Sequence, residues 1–383
     1  MHVPQPEPAP VGVYVHVPFC MRRCGYCAFA TVAVGARLDP DAADRFVDTL
    51  EREIDLRVSA TTAELTPLET VYLGGGTPTM LSPAALGRVV SSLRDRVGLA
   101  PDVEITVEAN PDGLAEGQLA AMREAGVTRV SFGLQSVRRH VLDLLDRTHD
   151  PDQALAAVQA ARTAGFEHVS LDLIHGTPGE RDDDWAATVG AAATSGADHV
   201  SAYALTVEAG TKLAARVRRG ELAEPSGDDA ARRYRMADER LGAAGFDWYE
   251  LSNWAREPAA RSRHNLLYWR NEDWWGLGPS AHSHLGGRRW WNHRSLERWA
   301  AAVAREELPV ADEELLDDQQ RRLEAVLLGV RLADGLRSEL VPEPAAVDPL
   351  VLQGLLERND DRLVLTMDGR LLADLVIRRL VGA

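Results

Sequence analysis

Cysteine is scarce in this chain: three in 383 residues. That is too few for the paired framework that staples small secreted domains, and it fits a reducing compartment. Lysine is scarcer still. Lys212 is the single one, so the basic side of the charge balance is carried by arginine. Against 58 Asp and Glu, the 42 basic residues leave a net charge of −16, which argues against nucleic acid or an anionic membrane as the main partner. No run of about 18 apolar residues occurs, so no transmembrane helix is expected. Residues 1–10 lack a basic n-region and an apolar h-region and read as a disordered, proline-rich start. The expectation is a cytoplasmic protein, long enough for one large domain and a smaller one.

What cysteine there is lies together, in Phe19-Cys20-Met21-Arg22-Arg23-Cys24-Gly25-Tyr26-Cys27. The C-x3-C-x2-C spacing offers three soft thiolates from one short loop. A structural zinc ion closes its tetrahedron with a fourth ligand, and an ordinary four-iron cluster also takes four cysteines. Three thiolates point instead to a [4Fe–4S] cluster with one iron open to an outside ligand. A disulfide with a spare thiol, or a zinc site completed by His16 or another histidine, stays open at this point.

Short β-branched runs recur at Val11–Val17, Thr70–Leu73, Val103–Glu108, Thr128–Gly133, His168–Ile174 and His199–Leu205, with a weaker one at Asp247–Leu251. Helical patterns follow at 41–58, 82–97, 114–125, 151–164, 182–195 and 228–244. Ser82-Pro83 and Asp150-Pro151 read as an N-cap followed by proline at the first helical position. This alternation implies βαβ units and a parallel α/β sheet. We divide the chain into a barrel at 11–250, a Trp- and His-rich connection at 251–300, and a C-terminal domain at 301–383. In the last, 318–332 and 350–358 read as helices, Arg362–Thr366 as a strand, Met367-Asp368-Gly369 as a turn, and Arg370–Leu380 as a strand or helix.

Working residues of parallel barrels gather at the C-terminal strand ends. The cysteine loop, Gly74-Gly75-Gly76-Thr77-Pro78-Thr79, Glu108, Gln135 and Asp172 all fall there, with Arg147 following the fourth strand. The glycines let backbone approach a ligand closely. Asp172, in an otherwise apolar strand, must either pair with an arginine or face a polar cavity. Tyr14 and His16 share one face of the first strand. Eight of the nine tryptophans lie between Trp248 and Trp299, beside His264, His282, His284 and His293. Such a region suits either an interdomain core or a planar macrocycle.

These motifs together resemble the radical S-adenosylmethionine (SAM) superfamily. Within it they resemble the oxygen-independent coproporphyrinogen III oxidase-like family, most closely its heme-chaperone branch. The residues that carry the likeness are Val15-His16-Val17-Pro18-Phe19-Cys20, Gly74–Thr79, the Glu108 segment, Ser131–Ser136 and Leu171–Gly179. Three features separate the branches. The family's decarboxylases have a fourth cysteine where Phe29 stands, and a long segment ahead of the first strand where this chain offers 11 residues. His264-Asn265-Leu266-Leu267-Tyr268-Trp269 fits the chaperone pattern.

The resemblance implies an open (β/α)6 partial barrel with a small winged-helix-like α+β domain after it. It implies a [4Fe–4S] cluster on Cys20, Cys24 and Cys27. SAM contacts are expected from Tyr14, Tyr26, Gly75, Gly76, Thr77, Glu108, Gln135, Arg147 and Asp172. Heme contacts are expected first from His264, then from His282, with Asn265, Tyr268 and Trp269. The activity it implies is binding heme and handing it to apo-hemoproteins of the respiratory chain. The alternative is oxidative decarboxylation of coproporphyrinogen III. An electron donor for the cluster, a homodimer and a peripheral membrane contact belong to the same expectation.

Overall fold

A computed structural model describes residues 10–382. The disordered start expected over residues 1–10 falls, apart from Pro10, outside them. Six strands pair side by side in chain order, all parallel: β1 (Gly12–Val17), β2 (Leu68–Gly75), β3 (Leu99–Ala109), β4 (Arg129–Gln135), β5 (His168–His175) and β6 (His199–Ala204). Parallel neighbours need crossovers. Helices Pro40–Ala60, Pro83–Arg96, Gln118–Glu124, Pro151–Thr163 and Asp182–Thr194 supply them. The start signals act as the sequence implies. Ser82 Oγ accepts from Ala85 N, and Asp150 and Gln153 form a capping box. Short helices at Arg139–Leu144 and Lys212–Arg218 were not anticipated.

Strand alternation sorts the side chains. Val13, Val15, Val71, Leu73, Ile105, Val107, Val130, Phe132, Leu171 and Leu173 turn to the helices and form the main core with them. The other parity lines the barrel with Tyr72, Glu104, Thr106, Glu108, Arg129, Ser131, Asp172 and Ser201. Closed barrels fill this space with branched apolar side chains. Here it is polar, and most buried polar groups call for partners. Arg129 shows how: it donates to Glu104 at 3.0 Å, to Ser170 Oγ at 3.2 Å and to the carbonyls of Ala260 and Arg261 at 2.8 and 3.1 Å.

The sheet continues past both edges of the six. Beyond β6 come β8 (Asn253–Ala255) and β7 (Asp247–Glu250), paired antiparallel, so the weak seventh run joins as a hairpin and not as another βα unit. Beyond β1 lies β9 (Trp274–Leu277), parallel to it, followed by antiparallel β10 (His282–Leu285), β11 (Arg288–Asn292) and β12 (Val310–Leu315). The tryptophan-rich stretch is therefore built largely into the main sheet. Glu53 anchors it. That side chain, wholly buried on helix Pro40–Ala60, accepts from Gly278 N at 2.8 Å, Asn292 Nδ2 at 2.6 Å and Trp299 Nε1 at 2.8 Å, with Arg57 at 3.8 Å.

The C-terminal part has its own core, including Val326, Leu350, Leu363, Val376 and Leu380, under a three-stranded antiparallel sheet in a winged-helix-like arrangement. Two local readings are corrected, and one alternative is resolved. The expected 350–358 helix is Val347–Leu352, and Leu356–Asn359 is a strand paired with Arg362–Leu365. The Met367–Gly369 turn is the start of a helix, because Thr366 Oγ1 caps Gly369 N at 3.0 Å. The last segment resolves as a helix, Ala373–Val381. Arg370 joins this domain to the barrel through Asp238, at 2.8 and 3.1 Å, and over the Trp248 ring.

Candidate metal centre

After β1 the chain turns at Pro18 and runs through the cysteine loop. Residues 19–20 pair with 32–33 to close the loop's base. Val32 N donates to Pro18 O and Val34 N to Cys20 O, while Leu213 N reaches across to Gly25 O. His16 holds the far end. A carbonyl only accepts, so its Nε2 carries the proton given to Ala30 O at 2.8 Å, and Tyr14 OH donates to Nδ1 at 3.0 Å.

The three cysteines are free thiols and half-buried. Among the described residues no group of three His, Cys, Asp or Glu side chains is placed to hold one metal ion. Three thiolates from one loop leave one position of a four-iron cluster without a cysteine ligand. Burial pushes the Cys20 thiol up to about 11, opposed by the Thr77 hydroxyl. Buried thiolates are stabilised when metal cations bind them.

The loop forms one wall of a cavity of about 680 Å³ at the C-terminal end of the barrel strands. Opposite stand Gly75, Gly76, Thr77, Glu108, Gln135, Arg147 and Asp172, with Tyr26 beside them. Gly76 has to be glycine: a Cβ there would lie 2.7 Å from the carbonyl oxygens of Val17 and Phe19. Those carbonyls accept from Gly76 N and Thr77 N at 2.8 and 2.7 Å. Glu108 accepts from Tyr72 OH at 2.8 Å and Gly75 N at 3.0 Å. Burial and the neighbouring Asp172 charge still hold its pKa at about 7. Asp172 accepts from Ser131 Oγ at 3.1 Å and from Ser201, and burial raises its pKa; the arginine pairing left open from the sequence is not what it uses. Gln135 Oε1 and Arg147 Nε are buried without a partner.

Residues 14–192 match the Radical SAM superfamily. The heme chaperone HemW of Mycobacterium tuberculosis (strain CDC 1551 / Oshkosh) is 49% identical over 375 residues, covering 97% of this chain and 95% of the relative. The heme chaperone HemW of Bacillus subtilis (strain 168) is 31% identical over 380 residues, covering 96% and 98%. The chain belongs to the HemW family of radical SAM proteins. The solved coproporphyrinogen III oxidase of Escherichia coli superposes with a TM-score of 0.81 over 97% of this chain and 90% of the other, at 23% identity. That likeness establishes a shared fold.

HemW-family membership implies a [4Fe–4S] cluster and SAM, and the residues fit both. Three thiolates match a cluster with an open iron. The glycine cradle, the two orphaned polar atoms and the Glu108 carboxylate match a polar, cationic ligand beside it. When bound, the pair supplies one-electron reductive chemistry. Of the nine expected SAM contacts, eight line the cavity. Tyr14 does not: it lies behind Tyr72, at a ring distance of 6.2 Å, and bonds to His16. Tyr72, Asn110, Ser131 and Tyr203 also line the cavity, though none was expected as a SAM contact.

The heme candidates are split. His264 is buried, with Thr70 Oγ1 and Tyr268 OH each 2.8 Å from a ring nitrogen and the Tyr72 ring stacked on it. Burial lowers its pKa to about 3. Asn265 and Trp269 bond to the buried carboxylate of Glu250. The helix Arg263–Trp269 thus closes the floor of the barrel, and neither nitrogen of His264 is offered to a ligand. His282 is exposed on β10, stacked on Trp291 at 5.6 Å.

Proposed function

We propose that this chain is a heme chaperone, carrying a [4Fe–4S] cluster on Cys20, Cys24 and Cys27, holding SAM in the adjoining cavity, and handing heme to apo-hemoproteins of the respiratory chain. The observation that carries the reading is 49% identity to a named heme chaperone across 97% of the chain. In this reading Gly75, Gly76, Thr77 and Tyr26 cradle SAM, Glu108 faces its ammonium group, and Gln135, Arg147 and Asp172 serve its remaining polar groups. Phe29, exposed at the cavity mouth where the decarboxylases have a fourth cysteine, supports the chaperone over the oxidase.

For heme we favour His282, whose imidazole is accessible, over His264, whose nitrogens are spent inside the barrel. The work belongs in the cytoplasm, with an external electron donor, a homodimeric state and a peripheral membrane contact as parts of the same reading. Among the described residues no helix is long and apolar enough to cross a membrane.

Heme titration followed by the Soret band tests the reading. Saturable binding by the wild type, weakened in His282→Ala, is expected. A wild type that takes up no heme would remove the function. Anaerobic incubation with SAM, reductant and coproporphyrinogen III should give no protoporphyrinogen beyond a trace; turnover would establish the oxidase instead.

A further inference from the structure

Asn110 lies one residue past β3. Its amide joins two groups that reach the cluster cysteines from opposite sides. Asn110 Nδ2 is 3.0 Å from Thr77 Oγ1, and the Thr77 hydroxyl is 3.8 Å from Cys20 Sγ. Asn110 Oδ1 is 2.9 Å from Arg147 Nη2, while Arg147 Nη1 is 3.7 Å from Cys24 Sγ. Sulfur is large, so these separations are contact distances for hydrogen bonds to it.

The direction of every bond is fixed. A guanidinium only donates, so it must face the amide oxygen. The amide nitrogen then donates to Thr77 Oγ1, which leaves the hydroxyl proton for Cys20. Flipping the amide would break both contacts at once. Asparagine suits the position because one planar group supplies one donor and one acceptor. Aspartate would present two acceptors and draw the Thr77 proton away from the sulfur. Pro111 follows, and the residue before proline is held in an extended conformation, which narrows Asn110's freedom.

We propose that Asn110 is a positioning residue for the cluster: it aims the Thr77 hydroxyl and the Arg147 guanidinium at the thiolates of Cys20 and Cys24. Donors to cluster sulfurs favour the more negative, reduced state, so the arc raises the reduction potential and slows cluster loss. The inference rests on the cluster assignment made under the proposed function.

The experiment uses anaerobically reconstituted full-length protein without SAM. Iron and sulfide analysis comes first: a wild type lacking four irons per chain defeats the cluster assignment itself. In loaded protein, EPR-monitored redox titration of Asn110→Ala and Asn110→Asp should give lower potentials than wild type. Iron release to a chelator should be faster by roughly tenfold, the size seen when partners of metal ligands are removed. Thr77→Val should shift the potential the same way by less, and the Thr77→Val/Asn110→Ala double variant by less than the sum. If the Asn110 variants load too little cluster to titrate, Thr77→Val and Arg147→Lys carry the potential measurement. Variants with full iron content and a wild-type potential and release rate would overturn the role of Asn110 while leaving the cluster intact.

Discussion

With SAM held as proposed, Glu108 is expected to couple its binding to proton release. Its carboxylate sits half-buried between Tyr72 OH and Gly75 N, and burial, followed by the nearby Asp172 charge, outweighs those two bonds to leave its pKa at about 7. An unfolded glutamate titrates near 4.3. The folded value is raised, so the stability linked to this group is full below the unfolded value and is lost as pH rises through about 7. A cation placed against Glu108 reverses the preference and expels the proton. With a pKa of about 7, the ionised fraction is roughly one tenth at pH 6 and nine tenths at pH 8, so SAM should bind about tenfold more tightly at the higher pH. Calorimetry at both pH values, in buffers of different ionisation enthalpy, should show close to one proton released at pH 6 and close to none at pH 8. Glu108→Gln should flatten the profile, and Asp172→Asn should keep a step. Equal affinities at the two pH values, or a step that survives in Glu108→Gln, would refute the assignment.

Three further outcomes are expected. Gly76→Ala drives a Cβ against fixed backbone at Val17 and Phe19, so it should cost about 1–3 kcal/mol and lower the iron loaded per chain; unchanged iron content would count against the cradle. Glu53→Ala strips a buried carboxylate from three donors and Arg57, costing about 3–5 kcal/mol by urea denaturation, with a red shift of tryptophan emission as the Trp290–Trp299 region loosens. His264→Ala opens a hole between Thr70 and Tyr268 and should cost about 2–4 kcal/mol while leaving the Soret titration of the folded protein unchanged; abolished heme binding in a stable variant would return His264 to the heme site.

The site was legible where its chemistry is local in sequence. Cysteine spacing, the glycine run and polar residues at strand ends need only a period of two and a rule about which strand end works. Parity tells which face a residue takes and is silent on depth. Tyr14 and Tyr72 share the interior face, yet the Tyr72 hydroxyl reaches Glu108 while Tyr14 meets the histidine that holds the cysteine loop. Edge elements were illegible for a related reason. β12 reads Val-Ala-Asp-Glu-Glu-Leu, with no apolar alternation, because it is held by backbone pairing and by Glu313 and Glu314 against Arg288 and Arg289 across the strand.

His264 marks the other boundary. It was placed first among the heme contacts because its motif fits the chaperone pattern and lies in a region rich in tryptophan and histidine, which suits a macrocycle as well as a core. The contact that decides its use, with Thr70, lies 194 residues away in sequence. The same inventory of imidazole, amide, phenol and indole also suits the closing of a polar barrel, where interior polar groups call for partners. Asn110 was overlooked for the opposite reason: it sits two residues from Glu108, and a side chain whose partners are both other residues' donors and acceptors leaves no compositional trace. Spacing pointed to the expected cofactor contacts; Asn110, bridging Thr77 and Arg147, appears only once the strand ends are brought together.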